Sequence, residues 1–358
     1  MKSYLYSLSD KLTMTLSCRD DDPAIECFVS EWHYLQRSTD QAANLPKPVA
    51  KVSIVDQLQP PENSTIYMHG QFLIHDQDFY FNHLDHWLTI KVDKRSFCVV
   101  AERNMHPYWV YYVTETLLRA YAPLYGVAFL HASGFRYQGH HFIISAFGGT
   151  GKTNMLLDIL EQNGIYFGDD LIPVCSDGYL YPYRKQLNLL PYNFAYKPGL
   201  LVKAGQPTWL LSLQTFLTTK STAFFHRLIT YKLLTRVRAR LTHKLDYHDV
   251  ATQDDPGERF PVDHLIWLER NSHQQGPFPL SPKKYRNDMQ VCLDIENRHL
   301  GHFMDYLTMV NPHLHKLTKK QAELIEHIAK KCSVIGLHKL DGDEKGLLQY
   351  IHQLANNS

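Results

Sequence analysis

Residues 129–175 read FLHASGFRYQGHHFIISAFGGTGKTNMLLDILEQNGIYFGDDLIPVC, and the rest of the chain can be placed relative to them. Within this stretch AFGGTGKT, Ala146 to Thr153, fits the phosphate-binding loop pattern with alanine in place of the first glycine. Ahead of it, His141-Phe142-Ile143-Ile144-Ser145 is an apolar run of strand length, entered through a Gln138-Gly139 turn. Behind it, Met155, Leu156, Ile159 and Leu160 recur at helical spacing, and Gly164 is the expected C-cap. Strand, glycine-rich turn and helix thus follow in the order a phosphate cradle requires.

Gly148, Gly149 and Gly151 let the backbone curl so that successive N–H groups converge on phosphate oxygens. The N-terminus of the following helix adds partial positive charge at the same point. Gly148 to Asn154, with Thr150 among them, are therefore the candidate nucleotide-binding residues. Lys152 is expected to reach the β- and γ-phosphates of ATP, and the Thr153 hydroxyl to ligate Mg²⁺. The plain alternative is a glycine-rich turn that happens to contain a lysine.

After Gly164 a short strand, Ile165-Tyr166-Phe167-Gly168, ends in Asp169-Asp170. Two carboxylates at that point are placed to hold the metal and to accept a proton from an attacking hydroxyl. Asp169, nearest the strand end, is the preferred base; a surface turn is the other reading of the pair. Leu171 to Cys175 then continues as a strand, and Ser176-Asp177-Gly178 turns it back into Tyr179-Leu180-Tyr181. Such a hairpin, with no Asn-Lys-x-Asp motif anywhere, is unlike a GTPase.

The combination of Leu130-His131-Ala132-Ser133, a turn, a strand, AFGGTGKT, a helix and GDDLIPV resembles the core of HPr kinase/phosphorylase and its related proteins. These share a P-loop fold with phosphoenolpyruvate carboxykinase. The resemblance implies that His131 lies near the transferred phosphate. It further implies that one of Asp169 and Asp170 is the base and the other a metal partner. Leu189-Leu190-Pro191, Lys197-Pro198-Gly199 and Phe260 to Leu268 add weaker echoes. The glycine-rich block with which true HPr kinases engage their partner is not recognisable, so the acceptor stays unnamed.

Bulk properties narrow the class. A chain of 358 residues is long enough for one large or two ordinary domains. Its 37 basic and 36 acidic residues balance, which argues against a nucleic-acid binder. Six dispersed cysteines without a C-x-x-C, no signal peptide and no long apolar run lead us to expect a reduced cytoplasmic protein without a transmembrane segment.

Residues 1–105 are read as a mainly β accessory domain, with strands at Tyr4–Leu8 and Leu12–Leu16, a short helix over Ile25–Leu35 and a later antiparallel meander. Asp20-Asp21-Asp22 is expected to be a solvated turn. Residues 106–358 are read as the α/β kinase domain, entered by an apolar helix over 108–122 and a strand ending at His131. A basic helical insertion and loop is expected over 215–258: Ala223 to Lys244 has helical apolar spacing, many arginines and no acidic residue. His313 and His315 are placed on a loop, with no partner ligands at zinc spacing. Thr318 and Asp341 are expected to cap the last two helices.

The fold expected is therefore α/β, a P-loop kinase core of the HPr kinase/phosphoenolpyruvate carboxykinase type with a β-rich N-terminal domain. The activity expected is ATP- and Mg²⁺-dependent transfer of the γ-phosphate to a hydroxyl of a protein, peptide or small metabolite. A nucleotide-sensing module without chemistry and a short carboxykinase-like enzyme are the alternatives. The sequence is also compatible with a homo-oligomer.

Overall fold

The computed structural model of the chain describes residues 2–9, 11–19, 21–37, 47–189, 191–197, 243–245, 258–271, 273–297, 301–340 and 344–357. Alternating apolar residues in the N-terminal third build one nine-stranded sheet. Its strands are β1 (Lys2–Ser7), β2 (Thr13–Cys18), β3 (Gln36–Arg37), β4 (Ala50–Val55), β5 (Thr65–Tyr67), β6 (Phe72–His75), β7 (Asp78–His83), β8 (His86–Val92) and β9 (Phe97–Glu102). They lie in the order β3-β1-β2-β4-β9-β8-β7-β6-β5. The expected meander is the antiparallel run β5 to β9, whereas β4 pairs parallel with both β2 and β9.

Helix α1 (Pro23–Trp32) starts at Asp22, whose carboxylate accepts from the Ala24 N–H at 2.9 Å. Asp22 therefore caps a helix, and Asp21 pairs with Arg103, so this part of the acidic run is not merely solvated. Helix α2 (Pro107–Tyr121) follows, and Phe28, Trp32 and Tyr111 meet edge to face with centroids 5.3–5.5 Å apart. The hydrophobic cluster on this sheet runs on through Val113, Leu117 and Tyr121 to Phe129 and Tyr183, and takes in Phe303, Leu307, Leu314 and Leu317. Packing thus continues across residue 105.

The second half is built on two sheets joined by chain crossings. One is antiparallel: β10 (Val127–Leu130), β14 (Ile172–Cys175), β15 (Tyr179–Leu180) and β18 (Phe260–Pro261). The other has six strands in the order β13-β11-β12-β19-β21-β20, from β11 (Ala132–Tyr137), β12 (His140–Ala146), β13 (Ile165–Gly168), β19 (His264–Asn271), β20 (Gly276–Phe278) and β21 (Ile335–Leu340). Its centre is parallel, with Phe142 opposite His264 and Ile266 opposite Ile335. Helix α3 (Lys152–Glu161) and α4 (Pro191–Tyr196) cover this region, and β16 (Leu187–Leu189) pairs with β17 (His243–Leu245). Helices α5 (Pro282–Glu296), α6 (Gly301–Val310), α7 (His313–Lys331) and α8 (Glu344–Asn357) complete a mixed α/β molecule. Among the described residues no helix is long and apolar enough to cross a membrane.

Several expectations change. His243 and Lys244, read as the end of the basic helix, lie in β17, where pairing with Leu189 and Asn188 overrides helical spacing. Residues 198–242, with most of that helix, lie outside the described residues. His313 and His315 begin α7 rather than a loop, and His313 Nε2 sits 2.9 Å from the Tyr121 hydroxyl. Thr318 is consequently inside α7, its hydroxyl donating to the Leu314 carbonyl at 3.4 Å, and caps nothing. After α3 the left-handed residue is Asn163 (φ 62°), not Gly164. Gly164 is needed for closeness, since an added Cβ would lie 2.8 Å from the Ile159 carbonyl oxygen.

Candidate active site

The site forms where the chain passes twice between the same two sheets. His131 is the single residue between β10 and β11, and Asp169-Asp170 opens the link from β13 to β14. The Ala132 N–H donates to the Asp170 carbonyl at 3.3 Å and ties the crossings together. The glycine-rich loop leaves the end of β12, the strand beside β11.

Loop geometry follows the glycines. Gly149 (φ 81°) and Gly151 (φ 98°) are left-handed, a region closed to most side chains. Gly151 is also the N-cap of α3 and offers no side-chain acceptor, so the first N–H groups of a ten-residue helix stay open to a ligand. Thr150 Oγ1 donates back to the Phe147 carbonyl at 2.8 Å. Gly148 is different: its φ is not left-handed and an added Cβ would meet nothing within 4 Å. Nothing within the described chain requires glycine there.

Lys152 is buried, with Nζ 3.1 Å from His131 Nε2. Burial, then the Lys152 charge, push the His131 imidazole down to about 3. His131 is therefore neutral and accepts from Lys152, which leaves its proton on Nδ1. That Nδ1 is buried without a hydrogen-bond partner among the described residues, and Glu296 Oε1 stands 3.9 Å away.

The two aspartates are not equivalent. Asp169 is buried and accepts from Thr153 Oγ1 at 2.9 Å and from Ser133 Oγ. Burial, then the neighbouring Asp170 charge, push its carboxyl above the usual range. Burial works in the same sense on half-buried Asp170, but Lys152 and Lys185 outweigh it and hold its carboxyl below that range. Asp170 also has φ 67°, a sparsely populated conformation that aspartate tolerates better than most residues. Asn188 Nδ2 approaches its Oδ2 at 3.5 Å.

Lys152, Thr153, His131, Asp169 and Asp170 are thus brought together. Asn154 faces elsewhere, its Oδ1 accepting from Asn193 Nδ2 at 2.7 Å. Four contributors escaped the sequence reading. Ser133 holds Asp169, and its only signal is its place two residues after His131. Arg270 donates to the Gly149 carbonyl, and Lys339 Nζ to the Thr150 carbonyl at 3.2 Å. Both stand near the C-terminal ends of strands parallel to β12, which the order of the strands alone would reveal. Lys185 Nζ pairs with buried Glu115 at 2.9 and 3.1 Å, and Glu115 also accepts from Tyr111 and Tyr183.

Mg²⁺ can be tested against these residues. Thr153 Oγ1 and Asp169 Oδ2 form an adjacent pair of hard oxygen donors, and two crowded carboxylates would gain from a cation. Among the described residues no three His, Cys, Asp or Glu side chains cluster as metal ligands. The donor set fits.

Compared with protein-family models and with curated proteins, the chain matches none.

Proposed function

We propose that the chain is an ATP- and Mg²⁺-dependent kinase that transfers the γ-phosphate to a hydroxyl acceptor, on a P-loop core of the HPr kinase/phosphoenolpyruvate carboxykinase type. Gly148 carries this reading. Neither its backbone conformation nor any neighbour within 4 Å accounts for glycine, whereas close approach of a phosphate to the loop does.

The roles follow from position. The loop N–H groups and the start of α3 bind the phosphate chain, and Lys152, steadied by neutral His131, neutralises charge on the transferred group. Arg270 and Lys339 hold the Gly149 and Thr150 carbonyls back, which leaves the loop's N–H groups facing the ligand. Thr153 and Asp169 would hold Mg²⁺, which when bound neutralises charge on the β- and γ-phosphates. Because Asp169 is bonded to Thr153, the base is Asp170, the reverse of the order inferred from the strand end. Asp170 takes the hydroxyl proton as the acceptor oxygen bonds to the γ-phosphorus. The bond from that phosphorus to its bridging oxygen breaks, and ADP leaves with the electron pair.

Thermal unfolding with and without ATP·Mg²⁺ tests the reading. At ligand about 100-fold above Kd, binding should add about 2.7 kcal/mol to the wild type and nothing to Lys152→Ala. Equal stabilisation of the two proteins would overturn the assignment.

A further inference from the structure

Between α2 and α5 lies a cavity of about 510 Å³, within the range of small-molecule sites. Thr116 and Arg119 of α2 line it, together with Gln290 and Asp294 of α5, with Asn297, which follows that helix, and with Asp305 of α6; Gln290 Nε2 donates to Asp294 Oδ1 at 3.1 Å, so Arg119 is the cation left to meet an anion there. Thr116 Oγ1, Arg119 Nε, Gln290 Oε1 and Asn297 Oδ1 are all buried without a hydrogen-bond partner among the described residues. Arg119 is only 6% exposed, and among the described residues its guanidinium forms neither hydrogen bond nor ion pair. Folds rarely tolerate one such atom, because desolvating it without a partner is costly, and here several share one wall.

The cavity and the catalytic residues share a helix. Met289 Sδ of α5 receives the His131 N–H at 3.2 Å, and Glu296 of the same helix approaches the unpartnered His131 Nδ1 at 3.9 Å. The Arg119 charge acts on both His131 and Glu296, and the Asp170 charge acts on Glu296 as well. Arg119, in the lining of the cavity, is thus within electrostatic reach of His131, and α5 runs from the cavity to it.

We propose that this cavity binds the phosphoryl acceptor, a small hydroxylated anion whose carboxylate or phosphate is held by Arg119. The inference rests on the kinase reading for the word acceptor, but not for the binding. The guanidinium supplies donors in the planar fork that suits a carboxylate or phosphate. The Gln290 and Asn297 carbonyl oxygens need donors in return, which the ligand's hydroxyls provide. A protein serine brings no anion of its own to Arg119. A free hydroxyl of the bound molecule would pass His131 and Glu296 to reach Asp170, where it loses its proton as described above.

Calorimetry with D-glycerate and with glycerol 3-phosphate, one carboxylate and one phosphate probe, tests the proposal. Each is titrated into wild type, Arg119→Met, Asn297→Leu and Lys152→Ala, all checked for folding by thermal melts. At least one probe should bind wild type and Lys152→Ala alike. Loss of charge-assisted bonds in Arg119→Met should weaken it by about 10- to 100-fold. Asn297→Leu should weaken it less, and serves if Arg119→Met does not fold. The proposal is overturned if neither probe binds wild type, or if the folded cavity variants bind as wild type does. It is equally overturned if phosphate binding is lost only in Lys152→Ala. A parallel ATP titration separates the two claims. ATP binding without probe binding leaves the kinase reading and removes the acceptor site, and the reverse pattern does the opposite.

Discussion

Replacing Asp169 and Asp170 one at a time by asparagine should impair the protein in two different ways. Asp169 is a buried carboxylate whose partners, Ser133 and Thr153, are both hydroxyls that can turn to donate or accept. Asparagine preserves those bonds and removes a crowded charge. Because the folded carboxyl of Asp169 lies above its unfolded value, its ionisation opposes folding. That penalty is absent below the unfolded pKa of about 4 and grows as pH rises through the folded value. Asp169→Asn without nucleotide should therefore match or exceed wild-type stability near neutral pH, with the gain shrinking towards pH 4.

Asp170 has the opposite sign. Its folded carboxyl is held low against burial by Lys152 and Lys185, so it contributes stability above its unfolded pKa and loses it as pH falls through the folded value. Asp170→Asn leaves those cations without their counter-charge and should cost about 1–3 kcal/mol at neutral pH. Turnover should separate the pair again. Asp169→Asn weakens Mg²⁺ binding and is partly rescued by added metal. Asp170→Asn keeps nucleotide affinity but lowers kcat by about 10²–10⁴. Urea melts at several pH values and Mg²⁺-dependent kinetics provide the readouts. The reasoning is refuted if Asp169→Asn is the less stable variant, or if both turn over at the wild-type rate.

Two further outcomes follow from the same geometry. Gly148→Ala should leave stability unchanged or raise it by about 0.4–1 kcal/mol, because an added Cβ meets nothing within 4 Å, yet it should weaken ATP binding. Unaltered ATP affinity by calorimetry would remove the argument for a ligand at the loop. On the kinase reading, phosphates that engage Lys152 relieve its hold on Asp170, so the Asp170 carboxyl rises when nucleotide binds. The acid limb of kcat should then lie at higher pH than that of kcat/KM, and coincident limbs would show that Lys152 does not set this base.

What could be read from the sequence was local. Glycine at 149 and 151 permits the left-handed backbone the loop adopts there, and apolar spacing at Met155, Leu156, Ile159 and Leu160 fixes the inward face of α3. The hairpin turn Gln138-Gly139 fixes β11 against β12 with Tyr137 opposite His140. These constraints act within a few residues, so pattern alone carries them. The pairing of β17 with β16 and the start of α7 at His313 are set by distant partners, and there spacing misleads. Which aspartate meets Thr153 was likewise hidden, since that depends on how the chain leaves β13. Nothing in the sequence foretells that Arg119 is buried with its Nε unpartnered among the described residues, because burial of a guanidinium is decided by the helices packed around it.

The placement of the cations follows from strand direction. In a parallel sheet every strand presents its C-terminal end to the same edge, and β12, β19 and β21 are mutually parallel. The loop after β12 therefore opens at the edge where Arg270 and Lys339 stand near the ends of β19 and β21. Each meets a backbone carbonyl of the loop, so the Gly149 and Thr150 acceptors are occupied from behind. From the other side, the second crossing between sheets carries Asp169 against Thr153, so the first turn of α3 is held at its front. Lys185 links this end of the site to Glu115, and through Tyr183 to Trp32 of α1 at 2.7 Å. A buried ion pair adds little net stability when intact but is costly to break, so its effect here is to fix where the Lys185 charge stands. That charge is one of those holding Asp170 ionised. The N-terminal sheet, through α1 and α2, thereby positions a cation that the acid pair depends on.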